Sequence, residues 1–133
     1  MALVRTNAQD SKHTITWADY DKDIRVLANK IKKGGKKYAL IYTRSRGGCV
    51  IATHLSHLLN IPWVKIDTFA GIPLPILVVD DIADTGKTLK EILDCRKDYI
   101  TNIATLYRKD GTIVEPDYCA KTINKWVVFS WEY

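Results

Sequence analysis

The sequence has no apolar run approaching the roughly 18 consecutive residues that read as a membrane span. Cysteine is scarce. Cys49, Cys95 and Cys119 are widely spaced, and no CxxC pair occurs. That argues against both a disulfide framework and a zinc site, and it fits a reducing compartment. The opening Met1-Ala2-Leu3-Val4-Arg5-Thr6-Asn7 contains no apolar signal core, which points away from secretion and toward the cytoplasm. There is no internal repeat, no low-complexity tract and no linker, so nothing divides the chain. Residues 1–133 are expected to form a single domain.

What is present is ordinary for a globular chain of 133 residues: 47% hydrophobic and 26% charged. Those values exclude a disordered or collagenous chain. Such a length buries about two-thirds of the unfolded surface and needs no staple to fold. The net charge of +5 suits a polyanionic ligand, either a phosphorylated small molecule or nucleic acid, without choosing between them. The densest basic cluster, Lys30 to Lys37, reads as a solvated helix end and turn, where lysines complement the helix dipole.

Apolar spacing gives the elements. Thr16 and Asp19 form a capping-box pattern. Ile24, Leu27, Ala28 and Ile31 then follow at helical spacing, so a helix is expected over 17–33, ended by Gly34-Gly35. Residues 38–43 read as a buried strand. Gly47-Gly48 opens a second helix that closes near Asn60-Ile61-Pro62. Residues 63–67 read as a short strand, and the aliphatic run Ile76-Leu77-Val78-Val79 as a parallel-sheet strand. A third helix is expected from about 86 to 97, with further strands over 103–107 and 126–129. Residues 1–13 are polar and expected to be partly loose. This alternation predicts an α/β fold: a mostly parallel sheet flanked by helices. In such sheets, ligands bind beyond the carboxyl ends of the strands. That singles out the loops at 43–48 and 80–88.

The second loop reads Asp80-Asp81-Ile82-Ala83-Asp84-Thr85-Gly86-Lys87-Thr88. Two adjacent acids at the end of a buried strand repel one another, and a hard cation or ligand hydroxyls relieve that repulsion. The turn from Asp84 to Thr88 enters a helix N-terminus. Backbone N–H groups, the hydroxyls of Thr85 and Thr88, the open backbone of Gly86 and the charge of Lys87 make it a phosphate cradle. Gly86-Lys87-Thr88 also matches the end of a Walker A loop. That motif requires a glycine where Asp81 stands, so the nucleotide P-loop reading is rejected.

These residues resemble the phosphoribosyl-pyrophosphate (PRPP) binding motif of type I phosphoribosyltransferases: four apolar residues, two acids, then the TGxT turn. Arg44-Ser45-Arg46-Gly47-Gly48 is similar to the pyrophosphate loop of the bacterial xanthine-guanine(-hypoxanthine) branch. The tail Trp126-Val127-Val128-Phe129-Ser130-Trp131-Glu132 resembles the base-binding end of that branch.

The resemblance implies a type I phosphoribosyltransferase-like fold and a role for each matching residue. Asp80 and Asp81 would hold the ribose hydroxyls and the water shell of a magnesium ion. Asp84, Thr85, Gly86, Lys87 and Thr88 would hold the 5′-phosphate. Ser45, Arg46 and Gly47 would hold pyrophosphate, often through a cis peptide, with the fixed fork of Arg46 suited to phosphate oxygens. Lys109 would contact the 6-oxo group of a purine, Trp126 would stack on it, and Val127 would offer backbone groups. Glu132 would help hold a second magnesium. Asp84 and Arg46 are the implied catalytic residues, as general base and as stabiliser of the leaving group. The implied reaction is magnesium-dependent transfer of phosphoribosyl from PRPP to guanine, xanthine or hypoxanthine in purine salvage, by a homo-oligomer (dimer or tetramer). One departure stands out. Only Thr68 to Pro75 separates Asp67 from Ile76, where the family carries a long flexible loop.

Two other readings remain open at this point: a PRPP- or nucleotide-binding regulator with little catalysis, and a small basic nucleic-acid-binding protein. Three acids on one loop speak against the second, so no nucleic-acid partner is expected. His54 and His57 at i, i+3 read as surface or core residues rather than ligands, and Cys49 as a packed small residue.

Overall fold

The computed structural model describes residues 12–65, 74–96 and 100–132. Its elements are β1 (Lys12–Thr14), α1 (Trp17–Lys33), β2 (Leu40–Tyr42), α2 (Arg46–Leu59), β3 (Trp63–Val64), β4 (Ile76–Ala83), α3 (Lys87–Arg96), β5 (Ile100–Arg108), β6 (Tyr118–Thr122) and β7 (Trp126–Val128). The main sheet has the order β3-β2-β4-β5-β6. Every pairing in it is parallel. The expected α/β architecture is therefore present.

Local chemistry sets the helix ends. Asp19 N donates to Thr16 Oγ1 at 3.0 Å and Thr16 N donates to Asp19 Oδ2 at 3.1 Å, the reciprocal capping box expected from the sequence. The same residue lowers the pKa of Asp19, since the Thr16 N–H favours the charged carboxylate. Ser45 caps α2, and Asn60 ends it in the left-handed conformation at φ 55°.

The aliphatic run of β4 divides between two faces, because successive strand side chains point opposite ways. Leu77 and Val79 pack with Leu27 of α1 and with Ile51 and Leu55 of α2. Ile76 and Val78 pack with Leu89 and Ile92 of α3. Both faces are covered, as a parallel sheet requires.

Several boundaries differ from expectation. β4 continues to Ala83, so Asp80 and Asp81 lie in the strand and not beyond it. The ladder persists because Asp80 pairs with Thr105 and Ile82 with Tyr107 on β5. β3 is only Trp63–Val64, and β5 starts at Ile100 rather than at 103. β6 is an additional edge strand on β5. Lys12–Thr14 are not loose. They pair in parallel with β7, matching Lys12 to Trp126, His13 to Val127 and Thr14 to Val128. Ser130 Oγ also donates to Ile15 O at 2.8 Å. The rest of the segment expected to be loose lies outside the described residues, as does most of the shortened connection before β4. No helix among the described residues is long and apolar enough to cross a membrane.

Candidate functional site

The carboxyl end of β2 lies beside β4, with Tyr42 paired to Val78, and β4 runs on to Ala83. Each strand feeds a helix N-terminus, and those two junctions form the floor of the site. At the first, Ser45 Oγ accepts from Gly48 N at 2.8 Å and donates to Asp80 Oδ1 at 2.8 Å. The hydroxyl of Ser45 is thus engaged within the protein, leaving Arg46, exposed at the start of α2, as the cationic side chain facing out. A Cβ on Gly47 would stand 2.1 Å from Asp81 Oδ2, and one on Gly48 would stand 2.1 Å from Thr43 Oγ1. The two glycines therefore let α2 settle onto the strand ends. The cis peptide expected in this loop is not there. Among the described residues the cis bond is Leu74–Pro75, and the Ser45 cap leads straight into helical backbone at Arg46.

The acids are held by their own strand. Asp80 Oδ1 also accepts from Asp81 N, and Asp81 Oδ1 accepts from Ile82 N, both at 2.8 Å. Burial, and then the neighbouring Asp80 carboxylate, push the pKa of Asp81 well above the usual carboxylate range. A divalent cation would reverse that, since it favours the charged form. Among the described residues, no group of three or more Asp, Glu, His or Cys side chains is arranged to hold a metal. Magnesium does not need one: it keeps several waters and takes one or two carboxylates plus substrate phosphates. Asp80 and Asp81 fit that pattern.

The second junction is the turn into α3. Thr85 Oγ1 accepts from Lys87 N at 3.3 Å, and Lys90 N–H makes the first helical bond, to Gly86 O. The intervening N–H groups of a first helical turn have no intrahelical acceptor. With Thr85, Lys87 and Thr88 they line a recess of about 70 Å³. Gly86 has φ 84°. A Cβ there would lie 2.6 Å from Thr112 Oγ1 and 2.9 Å from the backbone nitrogens of Ile113 and Val114. The glycine is required both by this backbone conformation and by the close approach of the 112–114 segment. That segment is tied down by Ile113 N donating to Thr85 O at 2.9 Å.

Two further recesses adjoin. One, of about 640 Å³, is lined by Arg46, Gly47, Val50, Asp81, Trp131 and Glu132. The other, of about 170 Å³, includes Asp81, Asp84, Lys109, Trp126, Val127 and Glu132 in its lining. Asp81 and Glu132 belong to both, so the recesses form a continuous cleft. Lys109 Nζ lies 3.4 Å from Asp84 Oδ1 and 5.7 Å from the centroid of the Trp126 ring. The position of Lys109 is fixed by its neighbours. Arg108 bonds both carboxylate oxygens of Glu115, at 2.9 and 2.7 Å, and Asp110 at 3.0 Å. Asn124 holds Asp110 from the other side. Trp126 is 59% exposed, so its ring is free to take a planar partner. Glu132 Oε1 accepts from Phe129 N at 3.0 Å. Glu132 closes this turn.

Of the residues singled out for binding or catalysis, Arg46, Gly47, Asp81, Asp84, Lys109, Trp126, Val127 and Glu132 line these two recesses, and Asp80, Asp84, Thr85, Gly86, Lys87 and Thr88 line the recess at the start of α3. The structure gives Trp131, part of the quoted tail, a place in the wall, stacked on Phe129 at 4.7 Å, and it adds Thr112, which carries no local motif. His54 Nδ1 shares a hydrogen bond with the Tyr20 hydroxyl. Cys49 is a free, half-buried thiol.

Comparison with known proteins agrees with this arrangement. Residues 75–133 match the phosphoribosyl transferase domain family. A purine phosphoribosyltransferase from Pyrococcus horikoshii is 34% identical, with 92% of this chain and 95% of that one covered, at a TM-score of 0.76. A xanthine-guanine-hypoxanthine phosphoribosyltransferase from Helicobacter pylori is 23% identical over 91% and 93% of the two chains, at a TM-score of 0.79. An adenine phosphoribosyltransferase from Thermoanaerobacter pseudethanolicus shares the fold at 16% identity over 84% and 80% of the chains, at a TM-score of 0.57. With its acidic strand end, its phosphate turn and this likeness to the Pyrococcus enzyme along nearly the whole of both chains, the protein belongs to the type I phosphoribosyltransferase family, enzymes of pentosyl transfer.

Proposed function

We propose that the protein transfers the phosphoribosyl group of PRPP to a purine carrying a 6-oxo group, releasing pyrophosphate, as a step of purine salvage. The observation that carries this reading is the position of Lys109. Its ammonium stands between the Asp84 carboxylate and the Trp126 ring, so a donor, an acceptor and a stacking face meet in one recess. A 6-oxopurine matches them in kind: its oxo group accepts from Lys109, its N7–H donates to Asp84, and its ring covers Trp126. Adenine presents an amino group where Lys109 needs an acceptor.

In this reading the Asp84–Thr88 turn binds the 5′-phosphate through backbone N–H groups and hydroxyls. Arg46 and the backbone at Ser45 and Gly47 bind pyrophosphate. Asp80 and Asp81 would hold magnesium and the ribose hydroxyls, and Glu132 would help hold a second magnesium. Bound magnesium supplies positive charge beside the leaving pyrophosphate. Arg46 stabilises the negative charge that builds there. Asp84 takes the N7 proton, and the cleft aligns base and sugar. Val127 offers backbone groups to the base from a strand already registered against β1. Cytoplasmic location and self-association complete the reading.

The test is a product assay with PRPP, magnesium and each of guanine, xanthine, hypoxanthine and adenine. Nucleotide from the 6-oxopurines with adenine a poor substrate supports the reading. Tight PRPP binding with no transfer to any base would favour the alternative, a PRPP-binding regulator of the same fold. Adenine as the best substrate would show that Lys109 does not read position six.

A further inference from the structure

The other end of α2, a helix about 20 Å long, carries a second cavity that the reaction does not use. It is a half-open recess of about 420 Å³, and Ile31, Tyr38, Leu59 and Ile61 form its apolar wall. The Tyr38 hydroxyl donates to Asn102 Oδ1 at 2.5 Å and shares a hydrogen bond with Tyr118 at 3.2 Å. Lys32, Lys36 and Lys37 line the same cavity.

Three ammonium groups around one concavity repel each other; Lys32 lies in the last turn of α1, whereas Lys36 and Lys37 lie beyond the helix end. The Gly34 N–H already bonds Lys30 O and Ile31 O, and the Gly35 N–H bonds Lys32 O. At the end of α2, Ser56 O receives Ile61 N–H and Asn60 N–H, while Ser56 Oγ donates to Ile61 O. The ammonium of Lys30 goes to Cys119 O at 2.8 Å, and that of Lys36 to Asn102 Oδ1 at 3.2 Å. The ammonium groups of Lys32 and Lys37 have no hydrogen bond or ion pair among the described residues. Among the described residues no Asp or Glu forms an ion pair with them, and residues 24–66 contain nine Lys and Arg and no Asp or Glu. The acid whose field reaches Tyr38 is Asp117, and its carboxylate accepts from Ile103 N at 2.8 Å. Gly35, at φ 78°, leaves open space above the rim, with nothing within 4 Å of the position of a Cβ.

We propose that this cavity is a second binding site, for a phosphate monoester that carries a compact apolar or aromatic group. Lys32 and Lys37 supply the charge that holds the phosphate. The wall of Ile31, Tyr38, Leu59 and Ile61 takes the apolar body, in a volume typical of small-molecule sites. A small ligand fits better than a polymer because the charge surrounds a concavity with an apolar floor. The site lies at the amino end of β2, whereas the catalytic cleft lies at its carboxyl end, so the two do not compete.

The test uses the full chain labelled with nitrogen-15 and phenyl phosphate as the probe, followed by amide chemical shifts. The expected result is saturable movement of the Gly35 and Ile61 amides, with Kd raised at least about 10-fold by Lys32→Gln with Lys37→Gln, a loss of about 1.4 kcal/mol. Inorganic phosphate should bind there more weakly, and transfer from PRPP should be unchanged in the double variant, which separates this proposal from the catalytic reading. Both substitutions exchange exposed side chains, and the remaining amide shifts report that the fold is kept. Shifts that do not saturate, shifts confined to residues 85–88, or equal affinity in the double variant would overturn the proposal. Tighter, Lys32- and Lys37-dependent binding of a single-stranded oligonucleotide would overturn it in favour of a nucleic-acid site.

Discussion

Ser45 Oγ donates to Asp80 Oδ1 while accepting from Gly48 N, both at 2.8 Å. One hydroxyl therefore caps α2 and fixes Asp80, joining the loop before α2 to strand β4. Replacing Ser45 by Ala should cost about 1 kcal/mol of stability, the usual loss for a helix cap. It should also weaken PRPP binding, because Asp80 loses a partner that orients it. Ser45→Thr should recover most of both. Urea denaturation and calorimetry with PRPP and magnesium would measure the two effects; unchanged PRPP affinity in Ser45→Ala would separate the cap from the site.

The glycines of the two loops should fail differently. Gly47→Ala puts a methyl group 2.1 Å from Asp81 Oδ2, and a carboxylate can turn aside. The expected outcome is a folded protein with PRPP affinity reduced about 10-fold or more, equivalent to some 1.4 kcal/mol. Gly86→Ala instead meets backbone nitrogens of Ile113 and Val114 and demands φ 84° of a residue with a side chain. It should destabilise by more than the roughly 1 kcal/mol of the backbone conformation alone. Thermal unfolding of both variants distinguishes the cases, and equal losses of stability would contradict them.

On the proposed reading, Lys109→Ala removes a charged hydrogen bond to the base, worth about 1.5–3 kcal/mol. For hypoxanthine, kcat/KM should fall roughly 10- to 100-fold, whereas the poor activity with adenine should change little. The preference between the two bases should therefore shrink. An equal fall for both would show that Lys109 acts on PRPP or on Asp84 rather than on the 6-oxo group.

Much of this site was legible in the sequence because its chemistry is local. The turn from Asp84 to Thr88 is contiguous, and its role follows from residue types and from the strand before it. The same holds for the capping box at Thr16 and Asp19. What was not legible depends on distant partners. Asp80 and Asp81 are poor strand formers, yet β4 runs through them because β5 offers a ladder and the two carboxylates take up nearby N–H groups. β6, Tyr-Cys-Ala-Lys-Thr, has no alternating pattern, since it is a half-exposed edge strand. Lys12–Thr14 become a strand only because β7 lies beside them. Gly86 looked like an open backbone in a phosphate turn; its second reason, the approach of Thr112 to Val114, is a tertiary contact from more than twenty residues away.

The capping box gives stability a pH dependence. Thr16 depresses the pKa of Asp19 below its ordinary 3.8, so the native state favours the charged carboxylate. Its contribution is fully present above the unfolded pKa and is lost as pH falls through the lower, folded value. Asp19→Asn should therefore lower the urea midpoint at pH 7, with a gap from the parent protein that narrows below about pH 4. A gap that stays constant down to pH 2 would show that the carboxylate charge contributes nothing.

The most direct test of the central claim is pyrophosphate release from PRPP and magnesium with and without hypoxanthine, read together with nucleotide formation. The account predicts that hypoxanthine accelerates release and that each pyrophosphate is matched by one nucleotide. Asp84→Asn should slow turnover while retaining PRPP binding. Pyrophosphate released at the same rate without a base, or no nucleotide formed with any purine, would contradict transfer to a 6-oxopurine as the function of this cleft.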